Sequence, residues 1–597
     1  MILVILVFIC LLSAQEDFRI GKIRFEGNNT ISDSRLLKNM SLKPKSFVQK
    51  ILFWTKGPEY IDVYLDSDIQ QIIADHQKEG FLNTKVTVKK NINESGKKVD
   101  LIFMISENDP VLIGDVNLIL TSSIGSVNDS TRSLLTADST KWSIKPNVRF
   151  RDVNIFNMKK IFSNLLLNNG FPSPEISHDI TLDTSGKYAD VTYQIDPGKL
   201  CRFGEIKITG NDRTPSKVIM KQVSFNGDQF SQTQLQETQR RVQQLGVFQF
   251  VTMKSLLDQI ESDRLPVEIL VKELPEWSFK FGVGYGLEDR FRASIDLLKL
   301  NFLGGARRAN LNLKHSFLEP YNISLKITQP AFLGPYGSLT FKPFLKEENE
   351  TSYNLESFGT SLTYQNLITP YLNGFISYRF ERSFIDLIDE DEGDLYNEYY
   401  NKSAISQGLS FDNSYPAFYP DKGFAASYIA TLSGLKLNSQ YHYLQGLVDI
   451  RKFNQIYTDL VLAGKMKIGS MKPIWRDEIT PVEERFYAGG SSSIRGWGRS
   501  DIGPKNENGN PEGGNSYLEF SLEARQRVYG LLYLVLFFDA GNVWTDYNAY
   551  DLNDLKYSPG IGLRFKTPIG PIRLDAAQPI WDKSKRIQLH LSIGQAF

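Results

Sequence analysis

Five histidines, at positions 76, 178, 315, 442 and 590, are scattered through the 597 residues. None lies at metal-ligand spacing from a cysteine or a glutamate. Cys10 and Cys201 stand far apart and do not make a disulfide framework. GVGYG, at residues 282–286, lacks the Lys-Ser/Thr pair and the following helix of a phosphate loop. Its glycines read better as bending or thinning a strand. The sequence thus presents no catalytic set, no cofactor-binding residues and no metal site, and no enzyme is expected. One stretch, YAGGSSSIRGWG at residues 487–498, still asks for chemistry. Gly and Ser at this density usually mark a flexible loop. Such a loop has little use for Arg495 followed by Gly496 and Trp497. A single cation set in so permissive a backbone calls for an anchor.

The elements that would position it start with the bounds of the chain. Its length exceeds one compact domain of ordinary size, so several domains or a large barrel are expected. Lys and Arg total 68 and Asp and Glu total 68, a balance that argues against a nucleic-acid partner. The start, MILVILVFICLLSAQEDF, has an apolar run of signal-peptide length followed by small residues. Residues 1–14 are therefore expected to be a cleaved signal peptide, which would leave Cys201 as the remaining cysteine. No later segment holds the ~18 apolar residues of a membrane helix. A β-barrel can cross a membrane without one.

Three segments open alike: IGKIRFEGN at position 20, IGDVNLILT at 113 and FGEIKITGN at 203. Each alternates apolar and polar residues, the period of a strand. Each leads to a helical-period stretch ending in Gly: residues 68–81, 157–171 and 233–248. Ile69, Ile72, Ile73 and His76 mark one face of the first. Gly80, Gly170 and Gly246 sit where a helix C-cap needs a left-handed residue. Two strand patterns follow each helix. The order is β-α-α-β-β, three times, and it resembles the POTRA (polypeptide-transport-associated) domain. The expected boundaries are residues 17–109, 110–198 and 200–275. An exposed sheet edge of such a unit could take an incoming chain as an added strand. The edge expected to do so is the strand of Phe250, Val251, Thr252, Met253 and Lys254.

After Trp277 the texture changes to aromatic and β-branched runs alternating with polar residues, broken by Gly, Pro and Asn. Apolar-out and polar-in alternation is what a membrane barrel requires. Residues 277–597 suit an antiparallel barrel of about 16 strands. The acidic stretch at residues 386–398 cannot face lipid and reads as an outer loop. The final strand, IQLHLSIGQAF, alternates cleanly: Ile587, Leu589, Leu591, Ile593 and Phe597 share one face, His590 and Ser592 the other. His590 reads as a lumen-facing polar residue.

POTRA-like repeats before a C-terminal barrel resemble the BamA/TamA family of bacterial surface antigens. RFYAGGSSSIRGWGRSDIGP, GGNSYLEFSLE, FFDAGNVW and YSPGIGLRFKTPIGPIRLDAAQPI, all within residues 485–580, carry the resemblance. Three repeats make the layout closest to TamA. The resemblance implies a long loop folded into the barrel, with Ile494, Arg495, Gly496 and Trp497 at its tip. It implies Glu519 and Asp539 as the acids that meet Arg495. Strand parity agrees: Glu519 points away from Leu518 and Phe520, and Asp539 away from Phe538 and Ala540. Acids at membrane depth avoid lipid, so both should face the lumen. The resemblance also makes Phe597, with Ile593 and Leu591, a C-terminal sorting signal, and it implies a weakly closed seam between first and last strands. The implied function is an assembly factor in the bacterial outer membrane with its POTRA domains in the periplasm. It would act on unfolded barrel precursors, contact outer-membrane lipid and work with periplasmic or inner-membrane accessory proteins. The competing reading is a two-partner-type pore that exports one dedicated polypeptide.

Overall fold

The computed structural model describes residues 18–45, 57–95, 97–121, 129–137, 142–286, 289–387, 399–434, 438–457, 459–475, 479–567, 570–580 and 586–593. The expected signal peptide, Phe597 and most of the acidic loop lie outside these.

The first unit runs β1 (Arg19–Glu26), α1 (Asp33–Asn39), α2 (Asp62–Lys78), β2 (Lys85–Asn93) and β3 (Lys98–Ser106). The second runs β4 (Leu112–Leu120), α3 (Asp129–Thr136), α4 (Asp152–Asn168), β5 (Glu175–Leu182) and β6 (Tyr188–Asp196). The third runs β7 (Arg202–Thr209), α5 (Ser216–Met220), α6 (Gln232–Gln244), β8 (Phe248–Ser255) and β9 (Arg264–Glu273). The sheets have one topology, β1-β3-β2, β4-β6-β5 and β7-β9-β8. In the first two, the opening strand pairs parallel to the middle strand and the other pair is antiparallel.

Both long helices begin earlier than their apolar period indicates, at Asp62 and Asp152, acids that favour a first turn. The buried face of α2 also differs from the expected isoleucine row. It carries Leu65, Asp68, Ile72, Asp75 and His76, with Ile69 and Ile73 only partly covered. Asp68 is tolerated there because its carboxylate accepts the amides of Ser41 and Leu42 at 2.7 and 2.9 Å. In α4 the core residues are Ile155, Met158, Phe162 and Leu166, which pack with Tyr193 and Val191 of β6.

Gly80, Gly170 and Gly246 have φ of +94°, +93° and +71°, the left-handed cap their positions call for. Two of them also carry a joint to the next unit. The Gly80 carbonyl accepts the Val111 amide and the Gly170 carbonyl accepts that of Cys201, both at 2.8 Å. The first joint is reinforced by charge. Buried Glu79 accepts from Arg151 Nε at 2.7 Å and Arg149 Nη2 at 3.3 Å, and pairs with Arg35 Nη2 at 2.9 Å. Burial opposes ionisation of its carboxyl, but bonds from Arg151 and Arg35 outweigh it and hold the pKa below the ordinary glutamate value. A carboxyl lowered in this way stabilises the fold above its unfolded pKa and loses that contribution as pH falls through the folded value. Protection of residues 79–82 and 149–151 against hydrogen exchange should therefore fall as pH drops below about 4.3. Glu79→Gln should flatten that dependence, and an unchanged profile would remove Glu79 from the joint.

The chain from Trp277 forms one antiparallel sheet of sixteen strands, ordered as in sequence from β10 (Trp277–Gly286) to β25 (Gln588–Ile593). The strands alternate as expected. In β10 the residues Phe279, Phe281, Val283 and Tyr285 stand exposed on one face. The three even-numbered glycines between 282 and 286 share the other. A Cβ on Gly282 or Gly284 would crowd Ser294 or Arg292 of β11 (Arg290–Leu300), so their absence lets those side chains cross the lumen face. Among the described residues no ladder joins β10 to β25, so between these two edges they leave a seam. Also among these residues, no helix is long and apolar enough to cross a membrane.

Candidate functional site

The loop that carries residues 487–498 connects β20 (Leu460–Pro473) to β21 (Ser516–Tyr529). It folds back on itself through bridges Phe486–Gly514, Ala488–Ile502 and Lys505–Pro511. Ile494 is fully buried with Ala488, Ile502, Tyr517 and Val543, and Trp497 packs against this cluster. The Gly496 φ of +97° turns the chain where a Cβ would collide with Ser558. The glycines thus allow close approach to the wall.

Arg495 is 1% exposed. Its guanidinium grips Asp539 of β22 (Leu532–Trp544) with two prongs, Nε to Oδ2 at 2.8 Å and Nη2 to Oδ1 at 2.9 Å. Its own amide adds a third bond to Asp539 at 3.1 Å, and Ser521 Oγ donates a fourth at 2.6 Å. Nη1 donates to Glu523 at 2.7 Å and lies 3.4 Å from Asp575 of β24 (Ile572–Ala577). The guanidinium lies 3.5 Å from the centre of the Phe537 ring. Such a forked, stacked contact suits Arg and not Lys.

Glu519 does not meet Arg495, which corrects one expected partner. It pairs with Lys465 of β20 and Tyr517, and accepts Ser493 Oγ at 2.8 Å. Register explains the difference. Ser521, not Glu519, stands opposite Asp539, while Glu519 stands opposite Gly541. One inward-facing step along a strand moves a side chain about 7 Å. Glu523, the next inward step beyond Ser521, takes the place expected of Glu519. Its parity in SYLEFSLE equals that of Glu519, so the sequence carried the signal. Asp575 has none so local.

Around Arg495 the lumen holds further buried charge. Arg525 Nε donates to Glu523 at 2.7 Å; Arg564 of β23 (Lys556–Phe565) pairs with Asp575; Arg573 lies 3.5 Å from Asp575. A second cluster holds the base of the loop and was not expected. Lys402 of β17 (Tyr399–Asp412) reaches Glu381 of β16 (Leu372–Leu387) at 2.7 Å, and Glu483 and Glu484 of the loop at 3.0 and 2.6 Å. Arg379 adds a bond to Glu484 at 2.7 Å and Tyr400 one to Glu483 at 2.6 Å. The loop therefore presents acids to one arc of wall and a base to another.

The remaining expected residues fall as follows. Leu591 is exposed on the outer face of β25, and Ile593 closes that strand. β8, which holds residues 250–254, is an edge of its sheet, with Phe250 43% exposed and Val251 buried. No cluster of His, Cys, Asp and Glu able to hold a metal ion occurs among the described residues.

Comparison with known proteins agrees with this architecture. The Omp85 superfamily domain matches residues 301–597, and the surface antigen variable number repeat, the POTRA domain, matches residues 18–108 and 201–274. The outer membrane protein assembly factor BamA of Nitratidesulfovibrio vulgaris is 23% identical over 601 residues, covering 97% of this chain and 73% of that protein. BamA of Neisseria meningitidis serogroup B is 24% identical, covering 96% of this chain and 78% of that protein. The crystal structure of BamA from Haemophilus ducreyi lacking POTRA domains 1–3 superposes with a TM-score of 0.64 at 20% identity, over 81% of this chain and 99% of that one. That likeness is one of fold. With POTRA sheets preceding a sixteen-stranded barrel, the chain belongs to the Omp85 superfamily, among the barrels of the BamA type.

Proposed function

We propose that this protein assembles β-barrel proteins in the bacterial outer membrane, with its POTRA domains in the periplasm. The observation that carries the reading is the seam. β10 and β25 each leave one edge without a ladder among the described residues. Unpaired strand edges are templates for another strand. An unfolded precursor can pair there and leave as a closed barrel. Closure satisfies every backbone polar group in lipid, so no nucleotide is needed to drive the step. The POTRA sheets would receive precursors first, by strand addition at the β8 edge. Accessory proteins would act on the same domains.

Depletion tests the reading. Loss of many barrel proteins from the outer membrane is the expected result. Loss of one secreted polypeptide, with the barrels unchanged, would overturn it in favour of a dedicated export pore. The edge strand has its own test. Thr252→Pro removes a backbone donor and fixes φ in β8. Precursor cross-linking to residues 250–254 should fall severalfold while the barrel stays folded. Unchanged cross-linking would remove that strand from the pathway.

A further inference from the structure

Among the described residues, β25 is held to the barrel by few backbone pairs. One ladder joins it to β24, from Ala577–Gln588 to Ile572–Ile593. Its outward side chains, Leu589 and Leu591, face lipid. Of its inward side chains, His590 meets the loop and Ser592 meets Arg573 of β24. His590 is buried, and its Nε2 accepts the Gly496 amide at 3.3 Å. Arg573, opposite Ser592 in the ladder, donates from Nε to Ser592 Oγ at 2.8 Å and from Nη2 to the Ser491 carbonyl at 2.6 Å. Both contacts to the loop use its backbone, at Ser491 and Gly496. Gly496 follows Arg495, whose side chain and amide are fixed to Asp539, and Ser491 precedes Ser492 and Ser493, whose carbonyl and hydroxyl meet Lys465 and Glu519.

We propose that Arg573 and His590 are positioning residues that latch the last strand to the loop, so that the seam edge is held while the loop is seated against the wall. This rests on the reading of the seam as the site of precursor pairing, and it names what controls that site. Arg573 joins three parts: the loop carbonyl, the β25 hydroxyl and, at 3.5 Å, the carboxylate of Asp575. Through His590, β25 itself accepts from the motif's backbone, at the Gly496 amide. When the loop shifts, the Gly496 amide leaves His590 and the Ser491 carbonyl leaves Arg573 together, and β25 keeps its ladder to β24 and the Arg573–Ser592 bond.

Hydrogen exchange on the full chain in lipid nanodiscs tests the latch. In a variant combining Arg573→Met and His590→Leu, amides of residues 588–593 should exchange about tenfold faster. Ladders from β13 (Tyr321–Pro330) to β20 should be unchanged. His590→Gln, whose amide oxygen can accept from Gly496, should keep the slow rate that His590→Leu loses. Equal rates in the double variant and the parent would overturn the latch. So would acceleration spread evenly over the barrel, which reports general loosening. If the double variant does not fold, the single pair His590→Leu and His590→Gln decides by the same readout. Precursor insertion is measured separately. Faster exchange at 588–593 with unchanged insertion supports the latch and retires the seam as the insertion site.

Discussion

Arg495→Ala should lower the stability of the folded barrel by about 3 kcal/mol, the scale on which removing one member breaks a buried ion pair. The measurement is the urea midpoint of the heat-modifiable folded band, at constant m. The argument turns on which acid is left stranded. Four guanidiniums, those of Arg495, Arg525, Arg564 and Arg573, face three carboxylates, those of Glu523, Asp539 and Asp575. Removing Arg495 leaves three of each, so net charge is not the source of the cost. Glu523 keeps Arg525, and Asp575 keeps Arg564 and Arg573. Asp539 keeps a hydroxyl from Ser521 and an amide, with no cation. In the Arg495→Ala background, Asp539→Asn should therefore restore part of the lost stability, while Glu523→Gln should lose more. Arg495→Lys should recover little, because a point charge cannot fork to Asp539, reach Glu523 and stack on Phe537 together. A cycle on Arg495 and Asp539 with no coupling would mean the pair is ornamental. Coupling to Glu519 should be the smaller of the two, since Lys465 holds that acid.

How far the sequence reached depends on which distances matter. Strand period is local, so alternation alone put Glu519, Asp539 and His590 on the lumen face and Leu589 and Leu591 on the lipid face. The repeat order and the three cap glycines are local too, and the topology of the sheets agrees with them. The height of a side chain on a barrel wall is different. It depends on the register between strands, which every turn and the barrel's shear together determine. That is why, of the two acids the resemblance assigns to Arg495, Asp539 meets it and Glu519 does not: both have the right face, and one has the right height. The joint around Glu79 escaped for a related reason, since Arg149 and Arg151 reach it from 70 and 72 residues away. The helix starts at Asp62 and Asp152 lie outside the apolar period because a first turn bearing acids does not need it.

Lys402→Met should cost more than Arg495→Ala, about 4–5 kcal/mol by the same urea midpoint. Here the count of charge works against the variant. Lys402 and Arg379 are the cations facing Glu381, Glu483 and Glu484. Without Lys402 three carboxylates share one guanidinium, and the buried Lys402 ammonium that bridges them is gone. Glu381 and Glu483 lose their closest cation outright. Burying an unpaired carboxylate is the expensive outcome. Two of the three acids belong to the loop, so the chain can escape the penalty by letting residues 482–485 leave the wall. Lys402→Met should then show protease cleavage near Glu484 at trypsin-independent sites, with Arg495 still seated. Glu484→Gln placed in the same chain should recover stability, since it removes one of the stranded charges. If Lys402→Met neither shifts the midpoint nor exposes the loop base, the second anchor does not hold the loop, and Arg495 alone must carry it.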